Sequence, residues 1–223
     1  MKRILFSLFA GIIFISFNIA KADLIDFEDY ANGDALGTVI TATNEVTFEV
    51  GFLDSFLGDA YVADVGGKVT AFAFDDQPAP SATPGKFFLS DDQYGPSLVL
   101  NYYMTFGRPV SNLGLDIYDF RADGGAQAGD RATLTAYSDE FINAVGVAEF
   151  IIPNTYLEDG NLVSLSIDQP DQLIRYASLT FSADKGTGID NIQFDTSSVP
   201  EPAICLLLLV GFVGMISVKK KFS

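Results

Sequence analysis

The chain has 223 residues, 29 acidic and 13 basic, for a net charge of −16; it contains no histidine, no tryptophan and one cysteine. That composition excludes Ser-His and Cys-His catalytic pairs, zinc or copper sites built from His and Cys, and any disulfide within the chain. An acidic balance of this size repels phosphate backbones, so nucleic acid is not an expected partner, whereas divalent cations suit it.

The predicted elements begin with a secretory leader. Met1-Lys2-Arg3 is a short positive region, Ile4 to Phe17 is almost uniformly apolar, and Ala20 and Ala22 are the small residues that signal peptidase needs at −3 and −1. Residues 1–22 are read as a signal peptide, with the mature chain starting at Asp23.

In the body, 23–196, apolar residues alternate at period two. "LIDFEDY" opens it and places Asp26 and Glu28 two apart on a strand, so that both emerge on one face. "VTFEVGF" puts Val46, Phe48, Val50 and Phe52 on one side, with Thr47, Glu49 and Gly51 on the other. "SLVLNYYMTF" aligns Leu98, Leu100, Tyr102, Met104 and Phe106; "LVSLSID" aligns Val163, Leu165 and Ile167; "YASLTFS" aligns Ala177, Leu179 and Phe181. Asp190 and Asn191 occupy a turn entering the last run. Segments such as "YANGDALG", "DVGGK" and "DDQPAPSATPGK" supply turn residues between the runs, and no stretch of the body sustains a 3.6-residue period. The expected fold is all-β, an antiparallel β-sandwich of the jelly-roll kind, its core filled from 20 phenylalanines and 9 tyrosines.

After the linker "DTSSVPEP", Pro200 and Pro202 separate the body from Ala203–Val218, a charge-free run that reaches roughly 24 Å as a helix and is closed by Lys219-Lys220-Lys221. The lysines hold their end in the cytoplasm and leave the body outside the membrane. Cys205 within this run reads as a small buried hydrophobe in preference to a lipidation site. Taking away residues 1–22 and 203–223 removes six basic side chains and no acidic one, so 29 acids face 7 bases and the net charge falls to −22.

Val199-Pro200-Glu201-Pro202-Ala203, then an apolar run, then a basic cluster, resembles the PEP-CTERM sorting signal of exported proteins in Gram-negative bacteria, here over 197–223. The resemblance implies processing by an exosortase, transient anchoring in the inner membrane through 203–218, and delivery to the cell surface or the extracellular matrix. "LIDFEDYANGDALGT" and "GTGIDNIQFD" resemble the first and last strands of lectin-like jelly-roll domains, which implies that these two strands are neighbours.

If they are, the oxygens of Asp26, Glu28, Asp190 and Asn191 could converge, and a hard, oxygen-only site suits a structural Ca²⁺; the competing reading is a solvated face and turn. Asp116, Asp119, Asp123 and Asp130 surround a glycine-rich loop whose spacing departs from the EF-hand pattern. With Arg121 and Arg131 nearby to neutralise part of it, that loop reads as a solvated hairpin. Tyr30, Tyr94 and Tyr156 sit in loop-like surroundings and could stack on sugars or pack on the sandwich edge. No catalytic residues are assigned. The primary expectation is a structural or adhesive surface protein without enzymatic activity; the alternatives are a carbohydrate-binding module attached to exopolysaccharide and, less favoured for want of an E-x-D-x-x-E arrangement, a polysaccharide hydrolase.

Overall fold

The computed structural model describes residues 22–52, 55–64, 87–90, 99–118, 120, 127–154, 162–169, 174–183 and 188–196. Lys21–Thr196 form one compact unit. The calls on the signal peptide and on the sorting signal at Val199 to Ala203, like the apolar run 203–218, fall outside the described residues, except for Ala22.

The described residues form thirteen strands and no helix: β1 (Ala22–Ile25), β2 (Ala35–Leu36), β3 (Thr38–Ile40), β4 (Glu45–Phe52), β5 (Ser55–Gly58), β6 (Ala60–Asp64), β7 (Phe87–Ser90), β8 (Asn101–Tyr118), β9 (Arg131–Tyr137), β10 (Ala144–Ile151), β11 (Leu162–Asp168), β12 (Ile174–Phe181) and β13 (Gly188–Thr196). Every pairing among them is antiparallel.

The 18-residue β8 organises the fold. Its first part pairs with β4 (Val46↔Phe106 to Gly51↔Asn101) and β12 (Tyr176↔Thr105 to Leu179↔Tyr102). Its second part pairs with β11 (Leu162↔Tyr118 to Asp168↔Asn112) and β13. The first arm of the hydrogen-bonded network therefore holds β10, β9, β12, β4, β3 and β5, and the second holds β11, β13, β1, β7, β6 and β2. Between the arms β8 changes which residues it buries: Tyr102, Met104 and Phe106 before, Leu113, Leu115 and Ile117 after. Gly107-Arg108-Pro109 lies at the crossing, and Pro109 has no N–H to offer a ladder. Inward side chains of both arms belong to one core, which is the burial pattern of a two-layer sandwich.

The alternation read from the sequence is borne out. Val46, Phe48, Val50, Leu100, Tyr102, Met104, Phe106, Val163, Leu165, Ile167, Ala177, Leu179 and Phe181 are all buried. Phe52 departs from it and is 41 % exposed. The register of β4 and β5 shifts between Val50 and Gly51, and this bulge carries Phe52 off the core face. At Gly51 a Cβ would lie 2.4 Å from the Ser55 carbonyl oxygen and 2.8 Å from the Phe56 Cα, backbone atoms that cannot rotate away. Gly51→Ala is expected to cost about 1–3 kcal/mol in urea unfolding and to displace the β4–β5 hairpin.

The first and last strands are neighbours, as the resemblance implied: Ala22↔Asp195 through Ile25↔Ile192. A cut after Ala22 leaves Asp23, which faces inward, is 6 % exposed, and accepts hydrogen bonds from the hydroxyls of Thr41 (2.6 Å) and Thr43. β1 is thereby tied to the β3–β4 turn.

Candidate functional site

The residues expected to hold calcium are close in the fold but bonded separately. Asp26 and Glu28 are not on a strand, which corrects the sequence reading: β1 ends at Ile25. Phe27 then adopts a left-handed backbone (φ 57°), while its ring keeps the buried parity of Asp23 and Ile25 and packs in the core against Phe48. Asp26 accepts the Glu28 backbone N–H at 3.3 Å, and Glu28 accepts the Phe87 N–H at 3.0 Å. Asp190 is fully buried, with its Oδ1 accepting the Asn191 N–H at 2.7 Å. Asn191, itself left-handed (φ 48°), donates its side-chain amide to Asp116 at 2.9 Å, and Asp116 also accepts the Ser164 hydroxyl. Among the described residues no group of three or more acidic side chains is placed to hold a metal ion.

Their geometry serves the last strand instead. Asn191 forms a bulge against β8, between Asp190↔Asp116 and Gln193↔Gly114, and this resets the inward residues from Ile189 to Ile192 and Phe194. Asp190→Ala leaves a donor without its acceptor and is expected to cost about 1–3 kcal/mol. Thermal unfolding in calcium chloride and in sodium chloride of matched ionic strength is expected to give the same loss.

The second acidic cluster also separates. Asp130 closes its own turn, accepting the Gln127 N–H (2.7 Å) and the Ser182 hydroxyl (2.9 Å). Arg131, expected to neutralise that cluster, pairs instead with Glu149 across β9 and β10 at 3.1 Å, because its side chain lies on the strand face. Asp119, Asp123 and Arg121 fall outside the described residues, as do Tyr94 and Tyr156. Tyr30 packs partly buried against the core, and its phenol is pushed up by burial and by the charge of Asp29.

The outward face of the first arm carries a feature the sequence reading missed. Tyr103 points away from the core, opposite Glu49 and Ser178, yet is only 3 % exposed. Two hairpins cover it. Phe56 of β5, 47 % exposed, meets the Tyr103 ring edge-on at 4.9 Å. Phe141, at the tip of the β9–β10 hairpin, meets it at 5.4 Å. Phe141 also contacts Tyr137 (5.5 Å), Tyr176 (5.2 Å) and Phe56 (6.4 Å). The Tyr137 hydroxyl lies 3.2 Å from that of Ser178, and the Asn101 amide 3.5 Å from that of Tyr103. Tyr103, Tyr137 and Tyr176 each occupy the outward parity of a strand. Aromatic rings on that parity are the signal by which the sequence could have revealed the face.

Phe141 is held in a left-handed conformation (φ 54°), which bulky side chains rarely adopt. The hairpin enforces it: the Asn143 N–H donates to Asp139 Oδ1 at 2.8 Å, its amide donates to Oδ2, and the Ser138 N–H donates to the Asn143 carbonyl at 3.2 Å. The Asn143 backbone N–H, with help from the Asn143 side chain and the Ile142 backbone, holds the Asp139 carboxyl below its ordinary value of 3.8. A depressed pKa stabilises the hairpin at all pH above that ordinary value, and the stabilisation is lost as pH falls through the folded pKa. The Asn143 amide resonance is therefore expected to titrate with a midpoint below 3.8, and Asp139→Asn to abolish that step.

No known protein family matches this chain, and no curated protein is similar to it. Among solved structures it is similar to the K2 cleaved adhesin domain of Lys-gingipain (14 % identity over 78 % of this chain and 99 % of that one, TM-score 0.47). It is also similar to the CBM22-1–GH10 modules of xylanase 10B from Clostridium thermocellum complexed with xylohexaose (8 %, 68 % and 26 %, TM-score 0.34). A third is the family 11 carbohydrate-binding module from the same organism with a mixed-linked tetrasaccharide (11 %, 79 % and 96 %, TM-score 0.29). With a TM-score under 0.5 in each case, the functional reading rests on this chain's own residues.

Proposed function

We propose that this chain is an exported, non-catalytic adhesive protein of the cell surface or extracellular matrix, and that it holds exopolysaccharide on the aromatic face of its first arm. The observation that carries this reading is the group Phe56, Tyr137, Phe141 and Tyr176, at least partly exposed on an outward sheet face around the covered ring of Tyr103, with hydroxyl and amide groups at its border. Aromatic rings offer flat apolar area to the C–H faces of a sugar at little entropic cost, and bordering polar groups fix its hydroxyls. Arg108, Arg131 and Arg175 are the basic residues among those described, against a strongly acidic background. The favoured polymer is therefore uncharged, since an anionic one would be repelled.

Export and sorting follow from the two termini: signal peptidase cuts after Ala22, and an exosortase acts near Val199 to Ala203 while 203–218 hold the precursor in the inner membrane. Mass spectrometry of the surface form is expected to find Asp23 first and no Lys219–Lys221; an intact C-terminus on that form refutes the sorting step. The binding step is tested by co-sedimenting the exported protein with neutral polysaccharides, cellulose and xylan among them, and with the host's own matrix polymer. Binding that survives Phe141→Ala unchanged, or no binding to any of them, refutes the aromatic face as the site.

A further inference from the structure

The first strand opens on a buried carboxylate. Asp23 faces inward on β1, between the exposed Ala22 and Leu24, and keeps only 6 % of its surface. Its Oδ2 accepts the hydroxyls of Thr41 and Thr43, both neutral donors. Among the described residues no lysine or arginine is paired with it. A carboxylate buried this far is ordinarily matched by a cation, because hydroxyl bonds offset only part of its lost hydration.

The neighbouring side chains add to the imbalance. Asp195 of β13 stands opposite Ala22, and Ala22 shares a depression with Asp168 of β11. Asp26, Asp29 and the Tyr30 phenol line the depression that holds Asp23 and Thr41. Glu45 and Arg108 flank the β3–β4 turn, where Arg108 is exposed. Apart from that arginine, the charged side chains described around the start of β1 are all acidic.

The covalent chain can supply the missing cation itself. Hydrolysis breaks the Ala22–Asp23 C–N bond: water adds its hydroxyl to the Ala22 carbonyl carbon and a proton to the nitrogen. The new carboxyl then gives up the proton that makes the Asp23 amine an ammonium. That nitrogen is three bonds from the Asp23 carboxyl carbon, so the two stay within about 4 Å in every rotamer.

Resting on the cut after Ala22 proposed above, we infer that loss of the leader completes the fold: the ammonium created on Asp23 is the counter-ion of its own buried carboxylate. The exported body is thereby more stable than the same body with residues still attached ahead of Asp23. The start of β1 is well placed to spread this effect. Asp23 ties it to the β3–β4 turn, and its backbone pairs with β13 as far as Ile25↔Ile192. A body that tightens only when its leader is lost is easier to keep unfolded while it crosses the membrane.

The pH dependence has a definite sign. In the folded protein the buried carboxylate favours the ammonium, whereas in the unfolded chain water hydrates both. Folding therefore raises the amine above the ordinary α-amino value of about 7.7–8.0. The stabilisation is complete below that ordinary value and is lost as pH rises through the folded one.

Two exported forms test this. One is natural; the other carries two glycines inserted between Ala22 and Asp23, which keep the leader and its cut site but move the ammonium away from the carboxylate. Mass spectrometry identifies the first residue of each. The natural form is expected to melt several degrees higher at about pH 6.5, a difference that vanishes by about pH 10. The same insertion in Asp23→Asn protein is expected to leave the melting temperature unchanged, since no carboxylate remains. Equal melting at the lower pH, with Asp23 found first in the natural form, overturns the inference and leaves the cut standing. A difference that persists at the higher pH, or in the Asp23→Asn pair, would show that the glycines act by fraying β1, and overturns it as well. A natural exported form that begins at another residue overturns the cut and the inference together. Should Asp23→Asn fail to fold, the pH comparison decides alone.

Discussion

Phe141→Ala is expected to lower the affinity of the exported protein for its polysaccharide by roughly thirtyfold, the ~2 kcal/mol typical of an aromatic hot spot. The ring contacts Tyr103, Tyr137, Tyr176 and Phe56, so its removal deletes one stacking surface and loosens the others. It sits at a hairpin tip, partly exposed and outside the main core, so the melting temperature should fall by only a few degrees. Phe141→Tyr preserves the flat ring and should retain most of the affinity, whereas Phe141→Leu preserves apolar bulk without the ring and should not. Isothermal titration of the three variants against the same oligosaccharide separates stacking from general hydrophobicity. Equal affinities for the leucine and tyrosine variants would remove the stacking argument.

The largest stability effect is expected at Phe48. Its side chain is fully buried on β4, within the core shared by both arms, and meets Phe27 edge-on at 6.0 Å. Phe48→Ala combines lost transfer free energy with a cavity that the surrounding strands can only partly close, a cost of about 3–5 kcal/mol. Against a total stability of about 5–15 kcal/mol this is a large fraction, and it corresponds to a melting temperature lower by roughly ten degrees for a domain of this size. Because the Phe27 ring is held there by a left-handed backbone, Phe48→Ala also removes one of the contacts that offset that strain. Phe48→Leu, which leaves a smaller void, should recover more than half of the loss in urea unfolding. A loss for Phe48→Ala below about 1 kcal/mol would mean that the two arms do not share this core.

What the sequence determined by itself was which residues face inward. Period-two alternation is a local consequence of the pleat, so Val46, Phe48 and Val50, or Val163, Leu165 and Ile167, could be assigned to the core one strand at a time. The absence of histidine, and of any cysteine in the body, settled equally locally what chemistry the body cannot perform. The tertiary structure decided everything that depends on a break in that regularity. Left-handed residues at Phe27, Phe141 and Asn191 re-aim the chain in a single step, and no composition or period announces them because the strain is offset by distant contacts. Through the first, Asp26 and Glu28 leave the strand where alternation had put them. Through the second, a hairpin folds back over Tyr103 and makes an outward tyrosine a buried one. Through the third, the last strand bulges against β8 beside the buried Asp190 and resets which of its residues face inward. The candidate face depends further on register across strands that lie far apart in the chain, such as Tyr103 with Glu49 and Ser178. Pairing of that kind is set when both arms close on one core, since only then is each strand's sliding freedom removed.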